Sequence, residues 1–410
     1  MTLDPIHVDN IARLAGAIAG EVDDADHDEY AARAWELLDP LRDGGEVTVE
    51  PVADHELRAA DAEAVALAER PFDAVHGLDS GTLNPTTFKN GLTLDVTQAA
   101  MAADPSDLAL HRDRTLVATV HSTDATRDYD LGWTRYDDGH SRRGVIQVPS
   151  VSRFEDEVVH ELGLYLAESE HALDHANVVS DLLVLDGPLY PKRLFNWESR
   201  ETELSDLARE AKPAGIVENY VRLVEEFVAR DAVLVGFVKN TSSRYLVRTL
   251  GESIPTPWAD DAGLFTRLLA VERDGERHTD DITFTSWFRS RGGSDRTMSA
   301  AGDAMGVERE LDPEAYEVTF FVVYDPREDL LFKVEAPYAV TRDPETRDRL
   351  TRYVVGEVAA QHGPPAPVEK ADELARIGVA EKEATRTKFE ERFGADAYRT
   401  YDDARWHEHE

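Results

Sequence analysis

The chain has 410 residues, 42% of them hydrophobic, no cysteine, and 82 acidic against 44 basic side chains for a formal net charge of −38 at pH 7. That length suits two domains or one large elaborated one with an ordinary core. The missing cysteines exclude disulfides, thiolate metal sites and a cysteine nucleophile.

A charge this negative ordinarily argues against a nucleic-acid partner, because affinity for DNA rests on neutralising phosphates with Lys and Arg. Here the acid is spread through every predicted helix and loop, and Lys is a minority of the basic residues. Adaptation to molar salt accounts for such a surface, since self-repulsion is then screened over about 3 Å. Net charge therefore says little about the ligand, and local basic clusters say more. Apolar runs such as Ala232-Val-Leu-Val-Gly-Phe-Val238 are too short to span a bilayer, and the N-terminus lacks the plan of a signal peptide. The expected location is cytoplasmic.

In chain order, residues 1–70 read as a helical extension. Asn10 caps a first helix with Ile11, Leu14, Ala15 and Ile18 at helical spacing. Residues 30–41 carry Trp35, Leu38 and Leu41 on one face, and a third helix is expected over 55–70, ending at Pro71. Strands follow at about 74–79, 91–97, 115–120 and 144–148, with turn-rich loops between them. A helix over 153–173 stacks Val158, Val159, Leu162, Tyr165, Leu166 and Leu173 on one stripe, with Glu161, Glu168 and Glu170 at its edges.

The run Asp181-Leu-Leu-Val-Leu-Asp186 is a short strand apolar on both faces that ends in a carboxylate. Gly187 and Pro188 stop it, so Asp186 either closes an Asx turn or faces outward from the strand's C-terminal end, where ligands and metals sit in open α/β sheets. A second segment, Ala74-Val-His-Gly77-Leu78-Asp79-Ser80-Gly81-Thr82, favours the ligand: two strands each present an Asp beside glycine. Such hard oxygen donors suit Mg²⁺ or Mn²⁺. If the 153–173 helix runs antiparallel to the Asp186 strand, the two rises per residue place Glu161 level with Asp186, leaving Glu168 and Glu170 as alternatives.

Further on, a helix over 217–230 and a strand over 232–238 lead into Lys239-Asn-Thr-Ser-Ser-Arg244. Residues 251–310 read as an insertion carrying Trp287-Phe288-Arg289-Ser-Arg291-Gly-Gly-Ser-Asp-Arg296. That cluster is either a binding edge for phosphate backbone and unstacked bases or an incidental arginine-rich hairpin. A hairpin is expected over 317–335. A helix near Lys370 is expected to hold Asp372 in its first turn, where capping is the alternative to ligation. The tail from 398, with His407 and His409, suggests no designed metal site.

The order of these segments resembles the NurA family of archaeal and bacterial DNA-repair nucleases. Gly77-Leu-Asp79-Ser-Gly81 resembles its first aspartate motif, Leu183-Val-Leu-Asp186-Gly-Pro-Leu189 its Asp-Gly-Ser-Leu motif, and Val235-Gly-Phe-Val-Lys239-Asn-Thr-Ser its glycine-to-lysine strand. Phe332-Lys-Val-Glu335-Ala-Pro337 and Pro365-Ala-Pro-Val-Glu-Lys-Ala-Asp372 resemble its two C-terminal blocks. The resemblance implies an α/β, RNase H-like mixed sheet flanked by helices over 71–385, with the insertion at 251–310 and a tail over 386–410. It implies Mn²⁺-dependent (or Mg²⁺-dependent) DNA cleavage through two ions, with 5′-to-3′ exonuclease and single-strand endonuclease activities in end resection. The implied partners are single- and double-stranded DNA, a second copy of the chain, and a hexameric HerA-type translocase.

Carried over by motif, Asp79 and Asp186 are metal ligands. Asp372 stands where some members have a histidine, keeping an oxygen donor without an imidazole. Glu161, placed by geometry, is the fourth carboxylate. Lys239 is expected to hold a phosphate, and Arg244, Arg289 and Arg291 to contact DNA. The competing reading is a non-catalytic adaptor that guides DNA into a translocase, which a missing carboxylate would mark.

Lowering KCl from molar concentration unscreens the carboxylates, so the melting temperature should fall steadily. Identical melting in molar and dilute KCl would refute the salt-adapted account of the charge.

Overall fold

The computed structural model describes residues 5–19, 25–124, 126–136 and 139–398, so His407 and His409 lie outside the described residues. Helices α1 (Pro5–Ala19) and α2 (Ala25–Leu37) precede β1 (Leu41–Asp43), β2 (Glu46–Pro51), β3 (Leu57–Asp61) and the short α3 (Ala62–Ala66). Then come β4 (Val75–Thr82), β5 (Thr86–Thr87), β6 (Leu92–Asp104), β7 (Arg114–Ser122), β8 (Leu131–Arg135) and β9 (Ser141–Gln147). Helix α4 (Glu155–His175), β10 (Leu182–Asp186), α5 (Lys192–Trp197), α6 (Thr202–Ala208), α7 (Ala211–Ala229) and β11 (Val233–Val238) follow. Next are α8 (Tyr245–Leu250), α9 (Asp261–Leu269), the small hairpin β12 (Glu272–Arg273) and β13 (Glu276–Arg277), β14 (Asp281–Thr285) and β15 (Phe288–Ser290). The chain closes with β16 (Val318–Asp325), β17 (Leu330–Pro337), α10 (Tyr338–Thr341), α11 (Pro344–Gln361), α12 (Ala366–Ala375) and α13 (Val379–Phe393).

One mixed sheet runs in the order β1-β2-β15-β16-β17-β11-β10-β4-β6-β7-β9-β8. In its middle, β10 lies parallel to both β4 and β11, while β6 and β17 run antiparallel beside them. Central position explains the apolar run of β10. Leu183 and Leu185 join the core under α4 and α7, and Leu182 and Val184 join the core under α11 and α12. The expected mixed α/β sheet flanked by helices is therefore present. No helix among the described residues is long and apolar enough to cross a membrane.

Four expectations change. Residues 1–70 are not a purely helical extension: β1 and β2 lie within them and join the main sheet through β15. Residues 55–70 are not one helix: Leu57–Asp61 pairs antiparallel with β14, and only Ala62–Ala66 is helical, started by Asp61 accepting from the Ala64 N–H at 2.7 Å. The strand partner lies more than 200 residues away, and a local pattern cannot register it. Asn10 lies inside α1, which begins at Pro5, where the missing N–H costs nothing. Residues 251–310 are woven into the main sheet, with β14 and β15 both pairing with β16.

A buried ion network ties the chain leaving β10 to the sheet. Lys192 Nζ stands 2.7 Å from Asp295 Oδ1 and 2.6 Å from Glu335 Oε1, and Lys333 Nζ lies 3.2 Å from the same Glu335 oxygen. The Leu189 N–H donates to Glu335 Oε2 at 3.3 Å. Burial by itself would raise the Glu335 pKa, but the Lys192 and Lys333 ammonium groups overcome it and hold the carboxyl at about 2.

Because the folded pKa of Glu335 lies below its ordinary 4.5, its stabilisation is whole above that pH and is lost as pH falls toward about 2. Glu335→Gln should flatten the pH dependence of unfolding in that window. At neutral pH it should cost about 3–5 kcal/mol, since two buried cations lose a partner. An acid limb identical in the variant and the parent, measured by urea unfolding, would remove the network from the stability account.

Candidate metal centre

Gly77, Asp79 and Gly81 alternate along β4 and therefore share one face of the sheet. Both glycines are bare because the backbone of α12 lies directly on them. A Cβ at Gly77 would stand 2.3 Å from the Pro367 carbonyl carbon and 2.5 Å from the Val368 nitrogen, and one at Gly81 would stand 2.3 Å from the Ala375 oxygen. Helix α12 thus crosses the strand with Asp79 beneath it, only 8% exposed. The helix starts at Ala366, earlier than expected, because the prolines at 365 and 367 suit its entry and first turn. Asp372 consequently falls in its second turn rather than its first, and pairs with Arg376.

The parallel register Leu78↔Leu185 makes Asp79 and Asp186 neighbours at the next position. On the other side Asp186 pairs with Phe237, so Lys239, two residues later, falls on the same face. Lys239 Nζ donates to Asp186 Oδ2 at 2.6 Å. Burial lowers the lysine pKa, and Asp186, with Asp79 and Asp372 behind it, more than restores it.

Glu168 of α4 is the third carboxylate of the group. Its Oε1 accepts from Ser80 Oγ at 2.6 Å and its Oε2 from the Tyr220 hydroxyl at 3.5 Å. Burial, then the neighbouring Asp186 and Glu168 carboxylates, push the Asp79 pKa up to about 9. Burial and Asp186 also raise Glu168 to about 7 against the hydrogen bonds from Ser80 and Tyr220.

Glu161 is placed elsewhere. It is 2% exposed and pairs with Arg193 at 2.6 Å, its second oxygen lacking a hydrogen-bond partner. The expected register fails for a countable reason. From His175 back to Glu168 the helix rises about 10 Å, close to the roughly 13 Å that β10 climbs from Leu182 to Asp186. Glu161 lies two turns further on. Glu170, the other alternative, lies 3.3 Å from Arg142 Nη2 and accepts from Asn219 Nδ2 at 3.2 Å.

Of the expected DNA contacts, Arg289 and Arg291 turn inward. Both donate through Nε to Glu317, Arg289 lies 3.9 Å from the Tyr338 ring centroid, and Arg291 adds Glu50 at 2.8 Å. Glu317 is fully buried on the edge of β16, and its charge requires both arginines. They are structural cations, which corrects the expectation that these two arginines contact DNA. Arg244 and Arg296 are exposed.

Among the described residues no three carboxylate or imidazole groups already surround one point, and Lys239 holds Asp186. The donor chemistry nonetheless fits a hard divalent cation. Asp79, Asp186 and Glu168 are crowded oxygen donors, and burial together with the neighbouring carboxylates keeps Asp79 protonated up to about 9.

The NurA domain family model matches residues 73–377. The chain belongs to the NurA family. The NurA nuclease from Sulfolobus solfataricus is 12% identical with a TM-score of 0.51, covering 96% of this chain and 98% of its own. That likeness places this NurA chain in the same fold. A crystal structure of NurA bound to dAMP and manganese is 10% identical, with TM-score 0.47 and coverage of 97% and 98%. Another, of NurA with manganese, is 9% identical, with TM-score 0.43 and coverage of 81% and 95%. No curated protein sequence matches this NurA chain.

Glu168→Gln should weaken Mn²⁺ binding at least tenfold by electron paramagnetic titration, on the scale of lost metal-site support. Glu161→Gln should change it less than twofold. The opposite ranking would return the ligand role to Glu161.

Proposed function

We propose that this protein is a metal-dependent deoxyribonuclease that hydrolyses phosphodiester bonds of DNA. The observation that carries the reading is the pair Asp79 and Asp186, side by side on adjacent parallel strands, with Asp79 buried beneath α12 and Glu168 close behind it. Membership of the NurA family supports the same chemistry.

In this reading Asp79 and Asp186 hold the ion or ions, with Glu168 and Asp372 completing the donor set. Hard oxygen donors favour Mn²⁺ or Mg²⁺. When bound, such ions polarise the phosphate and lower the pKa of the attacking water, and a second ion stabilises the leaving 3′ oxygen. Lys239, whose ammonium lies on Asp186, would be placed to meet a non-bridging phosphate oxygen. Glu168 receives hydrogen bonds from Ser80 and Tyr220. These keep its carboxylate oriented toward the aspartates as an oxygen donor. With aspartate at 372 there is no imidazole to protonate the leaving oxygen, and solvent supplies that proton.

The finer parts of the reading rest on the family resemblance: 5′-to-3′ exonuclease and single-strand endonuclease action in end resection, a homodimer, a cytoplasmic setting, and a HerA-type hexameric ATPase as partner.

Cleavage of labelled single- and double-stranded DNA at molar KCl with Mn²⁺, with and without the translocase, tests the proposal. Asp79→Asn and Asp186→Asn should each lower kcat at least about 100-fold, roughly 2.7 kcal/mol of barrier. Their folding should be retained, since each removes charge from a crowded group. Near-parental cleavage by either variant would overturn the assignment. A parent chain inert under every condition would leave the adaptor reading.

A further inference from the structure

A cavity of about 1050 Å³ lies among the segments that follow β10 and β11 and is lined by Lys192, Arg193, Arg244, Arg248 and Arg296. Five cations around one groove are unexpected on a chain with 82 acidic residues against 44 basic ones. Two of the strands that carry the centre feed it directly. Lys192 lies six residues past Asp186 at the end of β10, and Ser243 and Arg244 follow Lys239 at the end of β11.

The charges on its wall are unequally engaged. Of its two acids, Glu198 pairs with Arg209 at 3.2 Å, while Asp303 accepts from the Met305 N–H at 3.1 Å and keeps its charge, one against Arg244, Arg248 and Arg296. Lys192 is held by Asp295 and Glu335, and Arg193 by Glu161. Arg244 and Arg248 are exposed and have no carboxylate partner among the described residues, Arg248 standing 5.8 Å from the Tyr245 ring centroid. Arg296 is held only loosely, 4.0 Å from an exposed Glu46. The wall behind them is fixed, because a Cβ at Gly292 would stand 2.0 Å from the Tyr245 ring. The net free charge facing this groove is therefore positive.

We propose that this groove carries the phosphate backbone of a single DNA strand running to the Asp79–Asp186 centre, with Arg244, Arg248 and Arg296 as its phosphate contacts. The choice of DNA rests on the nuclease reading above. A recess of about 1050 Å³ suits a short stretch of one strand, as in single-strand binders whose cationic grooves track the backbone, and competition with a duplex tests that choice. Backbone contacts of this kind position a strand without reading its sequence.

The test uses the full chain in EDTA, so that nothing is cut, and the fluorescence anisotropy of a 5′-fluorescein oligothymidine of about 20 residues (a probe long enough for the ~4–16-nucleotide site sizes of single-strand binders) across a KCl series. The triple variant Arg244→Gln, Arg248→Gln, Arg296→Gln should raise Kd at least tenfold at the lowest salt where both proteins remain folded by circular dichroism. Its slope of log Kd against log KCl should be shallower by about 2, from about 0.7 per lost single-strand phosphate contact. Arg352→Gln, on the far side of α11 beside Asp348, should bind as the parent does. An unchanged Kd and slope in the triple variant would overturn the groove, as would a duplex of equal length competing better than the single strand. A parent chain that binds through these arginines yet never cleaves would sink the nuclease reading and leave the groove standing. A cleaving parent whose triple variant binds normally would do the reverse.

Discussion

Parallel pairing of β4, β10 and β11 forces Asp79, Asp186 and Lys239 onto adjacent positions of one sheet face, under a helix that can approach only because Gly77 and Gly81 have no side chains. Two acids held side by side here cannot both ionise readily, so Asp79, the more buried, retains its proton, and the sheet cannot move them apart without breaking register with both neighbours. The strain is electrostatic and local, and it is relieved by whatever positive charge enters. Lys239 supplies part of it. In the proposed reading a divalent ion would supply more, and oxygen donors of this kind suit a hard cation.

The same reasoning separates the arginines. In a chain this acidic most cations are drawn into pairs, and the buried ones are fully committed: Arg289 and Arg291 converge on Glu317 at the core edge. Lys192 and Lys333 do the same for Glu335 and so anchor the loop that leaves β10. What remains available to an anion is the small set that no carboxylate holds closely, and in the groove among the segments that follow β10 and β11 these are Arg244, Arg248 and Arg296. Counting arginines along the chain cannot make that distinction, because the partner of each is set by the fold.

Much of the central architecture was legible. The apolar runs ending in Asp79 and Asp186, the helix over 153–173 and the hairpin of β16 and β17 all follow from local periodicity, with β4 and β17 reaching further at their C-terminal ends than their patterns indicated. The less legible parts are those whose partners are remote. Leu57–Asp61 is a strand because Asp281–Thr285 lies beside it, and residues 251–310 belong to the sheet because β16 receives them. Within the site, Glu168 and Glu161 have the same local signature, seven residues apart on one helix face, and only the level at which α4 crosses β10 tells them apart.

Sequence alone determined the chemistry on offer: hard oxygen donors, no thiols, aspartates at strand ends flanked by glycine, and a surface dominated by carboxylate. These are properties of residue type and near-neighbour spacing, which the chain carries before it folds. Tertiary structure decided which glutamate joins the aspartates, that α12 covers them, and which arginines stay free. Each of those depends on contacts between segments far apart in the chain, where a shift of one helical turn, about 5.4 Å, exchanges one side chain for another.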